Sequence, residues 1–390
     1  MASGFLPYGR QSIDPADIDA VTDVLRSGWL TTGPAVERFE AAFSQTLEGA
    51  NAVSCSNGTA ALHLALAGLG IGPGDQVIVP SITFAATANA ALYCGARVVF
   101  ADVDPLTGLM RPEDLAEALE RADGPVRAVM PVHLAGQCQD MAALATQARA
   151  AGASCVEDAC HALGSMQGDR PVGACAHSDA ACFSFHPVKT IAAGEGGMVT
   201  TRDPDLARRM SQLRSHGVER EPDRFRGNGA EPWRQEMQAL GWNYRLSDIH
   251  AALALSQLAR LDTFRVRRQA LADHYDACLA GQDRIGALVR TQPAAQTCLH
   301  LYPVRIDFAD LGTDRTAVMT ALRARGVGSQ VHYIPVPDMP YYAERFGTQA
   351  PPGAARYYAN TLSLPLYSDM ELSDVERVVD SLNSVLEELT

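Results

Sequence analysis

The chain has 390 residues, 47% hydrophobic and 20% charged, proportions of a soluble globular enzyme long enough for two domains. A formal net charge of −13 argues against nucleic acid or an anionic membrane as the main partner. Nine cysteines, an odd number without zinc-knuckle or redox-pair spacing, read as small buried hydrophobes in a reducing cytoplasm, and no metal centre is expected.

Met1 to Pro7 has neither a basic nor an apolar leader region, and the longest apolar run, Ala60 to Gly72, is interrupted by His63 and too short to span a bilayer. A cytoplasmic protein is the expectation. Asp14 and Pro15 start a helix with Ile18, Val21 and Leu25 on one face, and Val36, Phe39 and Phe43 mark a second. Ala52 to Ser56 reads as a short strand ending at Asn57-Gly58-Thr59, and a strong helix former follows from Ala60. A strand, a small turn and a helix start can hold an anion on free backbone N–H groups, although the same residues also make a plain turn and N-cap.

Further apolar strands run from Asp75 to Pro80, Arg97 to Asp102, Val126 to Val132, Ala153 to Glu157 and Asp179 to Phe185, with helices such as Ala85 to Tyr93 and Met141 to Ala151 between them. Apolar strands alternating with helices predict a mostly parallel sheet covered on both faces, an α/β fold with ligands at the carboxyl ends of its strands. Four such ends carry Gly58 with Thr59, Phe84, Asp158 and Lys189. Lys189 sits in an otherwise uncharged loop between Val188 and Ile191, where a desolvated amine loses its proton more readily. From this loop alone a surface lysine on a hairpin remains equally open, and an ordinary helix N-cap is the lesser alternative for Asp158. Gly194, Gly196 and Gly197 then turn the chain into a strand from Met198 to Thr201.

Beyond the helix Leu206 to Arg214, the polar stretch Glu219 to Trp233 reads as a long loop. One long helix is expected from Ile249 to about Arg268, capped by Ser247 or Asp248. The domain change is placed within it: a large α/β domain over 1–255 and a smaller α+β domain over 256–390. The latter should hold strands Thr297 to Ile306 and Val327 to His332, and helices Asp314 to Arg325 and Ser373 to Leu389, with Asp314 and Ser373 as N-caps.

A buried lysine, a carboxylate, an aromatic face and a phosphate cup make chemical sense together around pyridoxal 5'-phosphate. Ser56-Asn57-Gly58-Thr59, Pro80 to Phe84, Val156-Glu157-Asp158-Ala159 and Phe183 to Lys189 with Gly194 to Gly197 resemble the DegT/StrS family of nucleotide-sugar aminotransferases, which have fold type I and depend on pyridoxal phosphate. Gly28-Trp29-Leu30-Thr31 and Gly241 to Asp248 are similar too, so the resemblance runs from about Pro7 to the C-terminus.

Residue by residue, the resemblance implies that Lys189 is the Schiff-base lysine and proton carrier, and that Asp158 pairs with the pyridine nitrogen. Phe84 stacks on the ring, His161 lies near the 3-oxygen, and Gly58, Thr59 and Ser184 hold the phosphate. Asn243 reaches that phosphate from a second subunit, implying a homodimer with shared sites. Tyr8, Arg245, His332 and Tyr333 face the substrates. Within the family, His186 to Lys189, His332 to Val336 and Pro340 to Tyr342 look most like the pseudaminic acid branch, which moves an amino group from L-glutamate to C4 of a UDP-linked 4-keto-6-deoxy-N-acetylhexosamine. Thr190-Ile191-Ala192-Ala193 departs from that branch, which keeps open another 3- or 4-aminotransferase of the family. A dehydratase has histidine where Lys189 stands, a cysteine desulfurase needs a cysteine on a mobile loop, and a regulator on this fold needs a basic DNA-binding helix.

Overall fold

The computed structural model describes residues 4–229 and 231–390. Strands β1 (Asn51–Cys55), β2 (Gln76–Pro80), β3 (Arg97–Ala101), β4 (Val126–Val129), β5 (Ser154–Asp158), β8 (Ala180–Ser184) and β9 (Gly197–Thr201) form one sheet in the order β1-β9-β8-β5-β4-β2-β3. The intervening β6 (Met166–Gln167) and β7 (Arg170–Pro171) make a separate short hairpin. Pairing is parallel from β3 through β8 and antiparallel on both sides of β9, so six strands point the same way. Side chains alternate between two covered faces, which is why these strands are apolar throughout rather than every second residue.

One face packs against the helices Gly58–Gly68 and Ala85–Tyr93, whose alanines and leucines are buried nearly all round. The other face carries Phe39, Phe43, Phe183 and Phe185 in edge-to-face contacts 5.3–5.8 Å apart. Each such ring contributes about 1.5–3 kcal/mol through burial. A separate core gathers the helices Leu261–Leu279, Arg315–Ala324 and Leu372–Leu389 around the antiparallel pair β12 (Tyr302–Arg305) and β13 (Thr361–Leu364). Leu6, from the start of the chain, lies in this second core and bridges Val327.

Three expectations need correction. The helix from Ile249 is broken: Asp248–Leu258 ends, and Leu261–Leu279 starts after Arg260, which leaves helical geometry at φ −103°, ψ 9°. Arg260 bonds Asp14 at 3.1 Å, Asp17 and the Ser12 carbonyl at 3.3 Å, so a long-range ion pair overrides local helix propensity. Residues 327–332, expected as a strand, make only isolated bridges, Val327 with Leu6 and Gln330 with Ser363, and it is β13 that pairs with β12. The last helix begins one residue before Ser373, with the Asp374 carboxylate accepting from Glu371 N–H at 2.9 Å in place of a serine cap. The polar stretch from Glu219 is a loop closed by β10 (Val218–Glu219) and β11 (Glu236–Met237), with Ala230 outside the described residues. Ser247 and Asp314 cap their helices by accepting from His250 and Ala317.

Candidate active site

The carboxyl ends of β1, β2, β5 and β8 open into a cavity of ≈ 690 Å³. Ten residues singled out from the sequence line it: Tyr8, Gly58, Thr59, Phe84, Asp158, His161, Ser184, Lys189, His332 and Tyr333. Each arrives for a local reason. Asn57 caps the helix Gly58–Gly68 by accepting from Ala60 N–H at 2.8 Å, so the cap and the anion cup coexist in one turn. Gly58 and Thr59 stand in that first turn, where backbone N–H groups lack helical partners. Phe84 is the N-cap residue of Ala85–Tyr93 and is 60% exposed, an aromatic ring left bare in the cavity wall.

Asp158 ends β5 and is buried. Its Oδ2 accepts from Thr87 Oγ1 at 2.6 Å and its Oδ1 from Cys160 N–H at 3.2 Å. Thr87 Oγ1 also lies 2.7 Å from Thr83 Oγ1. The single Thr87 hydrogen goes to the carboxylate, so Thr83 is the donor in the second bond. The result is a one-way relay, Thr83 to Thr87 to Asp158, that holds the acid in place.

Lys189 sits half-buried in the turn after β8, its N–H donating to the His186 carbonyl at 2.8 Å. Burial lowers its amine below the ordinary lysine range, against the opposing pull of Cys160 and Asp158. Burial, then the charges of Lys189 and His332, holds His161 well below the usual histidine value, and burial followed by Lys189 brings His332 to about 3. These rings are neutral near pH 7. His161 bonds Ala135 N–H through Nδ1 at 3.3 Å and Tyr333 Oη through Nε2 at 3.1 Å. His300 packs against His161 at a tilt of 46° with centroids 4.4 Å apart, and Tyr8 meets His332 at 5.7 Å.

Two expected residues lie elsewhere. Asn243 is exposed and bridges Ser215, and Arg245 lines a second cavity of ≈ 300 Å³ with Arg220 and Arg224. Sequence reasoning missed Thr83, Thr87, Cys160 and His300. Thr83 and Thr87 carried a usable signal, two hydroxyls four residues apart around a helix start; His300 carried none.

A buried amine that loses its proton more readily than an ordinary lysine, sharing one cavity with a fixed carboxylate, an exposed aromatic face and the first turn of a helix, can bind a carbonyl covalently and move protons at carbon. The sequence pattern of the DegT/DnrJ/EryC1/StrS aminotransferase family matches residues 11–383. The chain is 38% identical over 388 residues to the spore coat polysaccharide biosynthesis protein SpsC of Bacillus subtilis, covering 98% of this chain and 97% of that one. Among solved structures, it resembles Helicobacter pylori PseC, an aminotransferase involved in pseudaminic acid biosynthesis, with a TM-score of 0.90 and 28% identity over 99% of this chain and all of that one. Spr1654 of Streptococcus pneumoniae, solved in a PLP form, matches with a TM-score of 0.88 and 28% identity over 99% of this chain and 100% of that one.

Proposed function

The chain belongs to the DegT/DnrJ/EryC1/StrS aminotransferase family and is a pyridoxal-phosphate-dependent sugar aminotransferase, and from that premise we propose that it moves the amino group of L-glutamate to the C4 ketone of a UDP-linked 4-keto-6-deoxy-N-acetylhexosamine. UDP-2-acetamido-2,6-dideoxy-β-L-arabino-hex-4-ulose is the favoured acceptor. The likeness to PseC supports it, as does the family branch that His186 to Lys189 and His332 to Val336 resemble. The greater identity to SpsC favours a second reading, another nucleotide-sugar 3- or 4-aminotransferase.

The residues fit the cofactor on a feature of the cavity itself. A Cβ on Gly58 would come within 2.8 Å of Ser184 Cβ, so glycine keeps the cup deep enough for a phosphate. Gly58, Thr59 and Ser184 would hold that phosphate, Asp158 would pair with the ring nitrogen, Phe84 would cover the ring face and Lys189 would supply the amine for the covalent link. Pyridoxal phosphate supplies an electron sink for the pair left when a Cα–H bond breaks. Asp158 would favour the protonated ring nitrogen, and the threonine relay holds the Asp158 carboxylate in place. Lys189, whose burial shifts its amine below the ordinary lysine range, would take the proton from the donor's Cα in the first half-reaction and deliver one to the sugar carbon in the second. The neutral imidazoles of His161 and His332 add no positive charge that would compete for the substrates' anionic groups.

Asn243 and Arg245 complete the site from a second copy of the chain. The exposure of Leu240 at 78%, three positions before Asn243, and of Trp233 at 82% supports a face made to be covered. The chain acts in the cytoplasm; no helix among the described residues is long and apolar enough to cross a membrane. The convergence of Lys189, Asp158, Phe84 and the Gly58 cup in one cavity carries this reading. Incubating the protein with glutamate and a panel of UDP-4-keto sugars, and identifying products by mass spectrometry and NMR, tests it. Glutamate consumption with no aminated sugar from any member of the panel would overturn the acceptor class.

A further inference from the structure

Ala135 holds a left-handed backbone at φ 60°, ψ 7°, a conformation disfavoured for a residue with a Cβ. This geometry directs its N–H to His161 Nδ1 at 3.3 Å, while its carbonyl accepts from His300 N–H at 2.9 Å. A backbone amide only donates, so His161 Nδ1 is an acceptor and carries no hydrogen. The buried, neutral ring therefore has its hydrogen on Nε2, 3.1 Å from Tyr333 Oη. His161 is the donor in that bond and the phenol the acceptor. Among the described residues, Tyr333 Oη has no other hydrogen-bond partner, and Tyr333 lines the cavity. The phenol's own hydrogen is left for a bound molecule.

Sheet order says which part of that molecule. Ser184 ends β8 on one side of Asp158, which ends β5; Ala135 follows β4 on the other side. In pyridoxal phosphate, the phosphate arm and the phenolic oxygen flank the aldehyde carbon on opposite edges of the ring. With the nitrogen at Asp158 and the phosphate at Ser184, the phenolic oxygen falls on the β4 side. We propose that Tyr333, rather than His161, donates the hydrogen bond to the cofactor's phenolic oxygen, and that Ala135 and His161 are positioning residues that set its direction. This rests on the cofactor placement proposed above.

A donor at that oxygen matters most once the neighbouring lysine-linked nitrogen has lost its proton, because the oxygen then carries its negative charge without an internal partner. Removing the donor makes that proton harder to lose. The titratable groups around Tyr333 include Asp158, Cys160, Tyr8, Tyr357, His161 and His332, and all of them stay in place in a Tyr333→Phe protein. The test is a pH titration of the visible absorbance band formed when pyridoxal phosphate is added to the protein. The midpoint should rise by about one pH unit, tenfold in proton affinity, in Tyr333→Phe. It should rise less, in the same direction, in His161→Leu. Equal midpoints in Tyr333→Phe and the parent, or a rise confined to His161→Leu, would overturn the proposal. A band absent from the parent, or surviving in Lys189→Ala, would instead overturn the cofactor placement and this inference with it.

Discussion

Thr87 donates its hydroxyl hydrogen to Asp158 Oδ2 across 2.6 Å, between two side chains that are both buried. A hydroxyl-to-carboxylate bond of this kind contributes about 1.5–3 kcal/mol, and here it fixes the carboxylate proposed to meet the cofactor's ring nitrogen. Thr87→Val keeps the shape and removes the donor. Its kcat/KM should fall about tenfold or more, since ~1.4 kcal/mol is a factor of ten. Thr83→Val, one step back in the relay, should cost less. Equal rates for Thr87→Val and the parent would show that Asp158 needs no such support.

Lys189→Arg and Asp158→Asn separate the two central roles. The first should fold, bind no cofactor covalently and show no turnover. The second should keep the covalent link yet lose about a hundredfold or more in rate, the scale of a lost proton-handling group. Absorbance after adding pyridoxal phosphate, read beside steady-state rates, distinguishes them. Normal turnover by Lys189→Arg is incompatible with the role given to that amine.

Gly58→Ala should weaken cofactor binding by about tenfold or more without harming the helix, because alanine favours helix while its Cβ would press within 2.8 Å of Ser184 Cβ. Fluorescence titration with pyridoxal phosphate measures the loss. Unaltered affinity, with an unaltered melting temperature, would mean the cup is shallower than the phosphate requires.

Stability should fall in mild acid. Burial lowers His63 to about 4 and, with Lys189 second, His332 to about 3, while the unfolded rings titrate near about 6.5. Between those values the unfolded chain binds protons that the folded chain does not, so unfolding is favoured as pH drops from about 6.5 toward 3. Each such ring contributes up to about 1.4 kcal/mol per pH unit in that window. Melting curves from pH 7.5 to 5 should show a decline, and His332→Gln should flatten it. A melting temperature that rises on acidification contradicts the burial of these rings.

If Asn243 acts across subunits, Lys189→Ala and Asn243→Ala proteins, each inactive alone, should regain activity when unfolded together and refolded as a mixture. No recovery, with mixed dimers confirmed by mass, would confine the site to one chain.

Much of this site was legible because the sheet obeys a general rule: apolar strands alternating with helices deliver their chemistry at the carboxyl ends, which brought Gly58, Phe84, Asp158 and Lys189 together on paper. What escaped was set by distant partners. The break at Arg260 depends on Asp14 and Asp17, more than 240 positions away in the chain. The segment 327–332 looks like a strand in composition, but Leu6 and Ser363 take single bridges from it and no ladder forms. Thr87 looks like any small helical residue until β5 brings Asp158 beside it.

Residues near the start of the chain tie two distant parts of the protein together. Leu6 sits in the C-terminal core, and two positions later Tyr8 lines the cavity while its carbonyl accepts from Leu366 N–H at 3.1 Å. Losing the first eight residues would strip an aromatic side chain from the cavity lining and an aliphatic one from the C-terminal core in one cut.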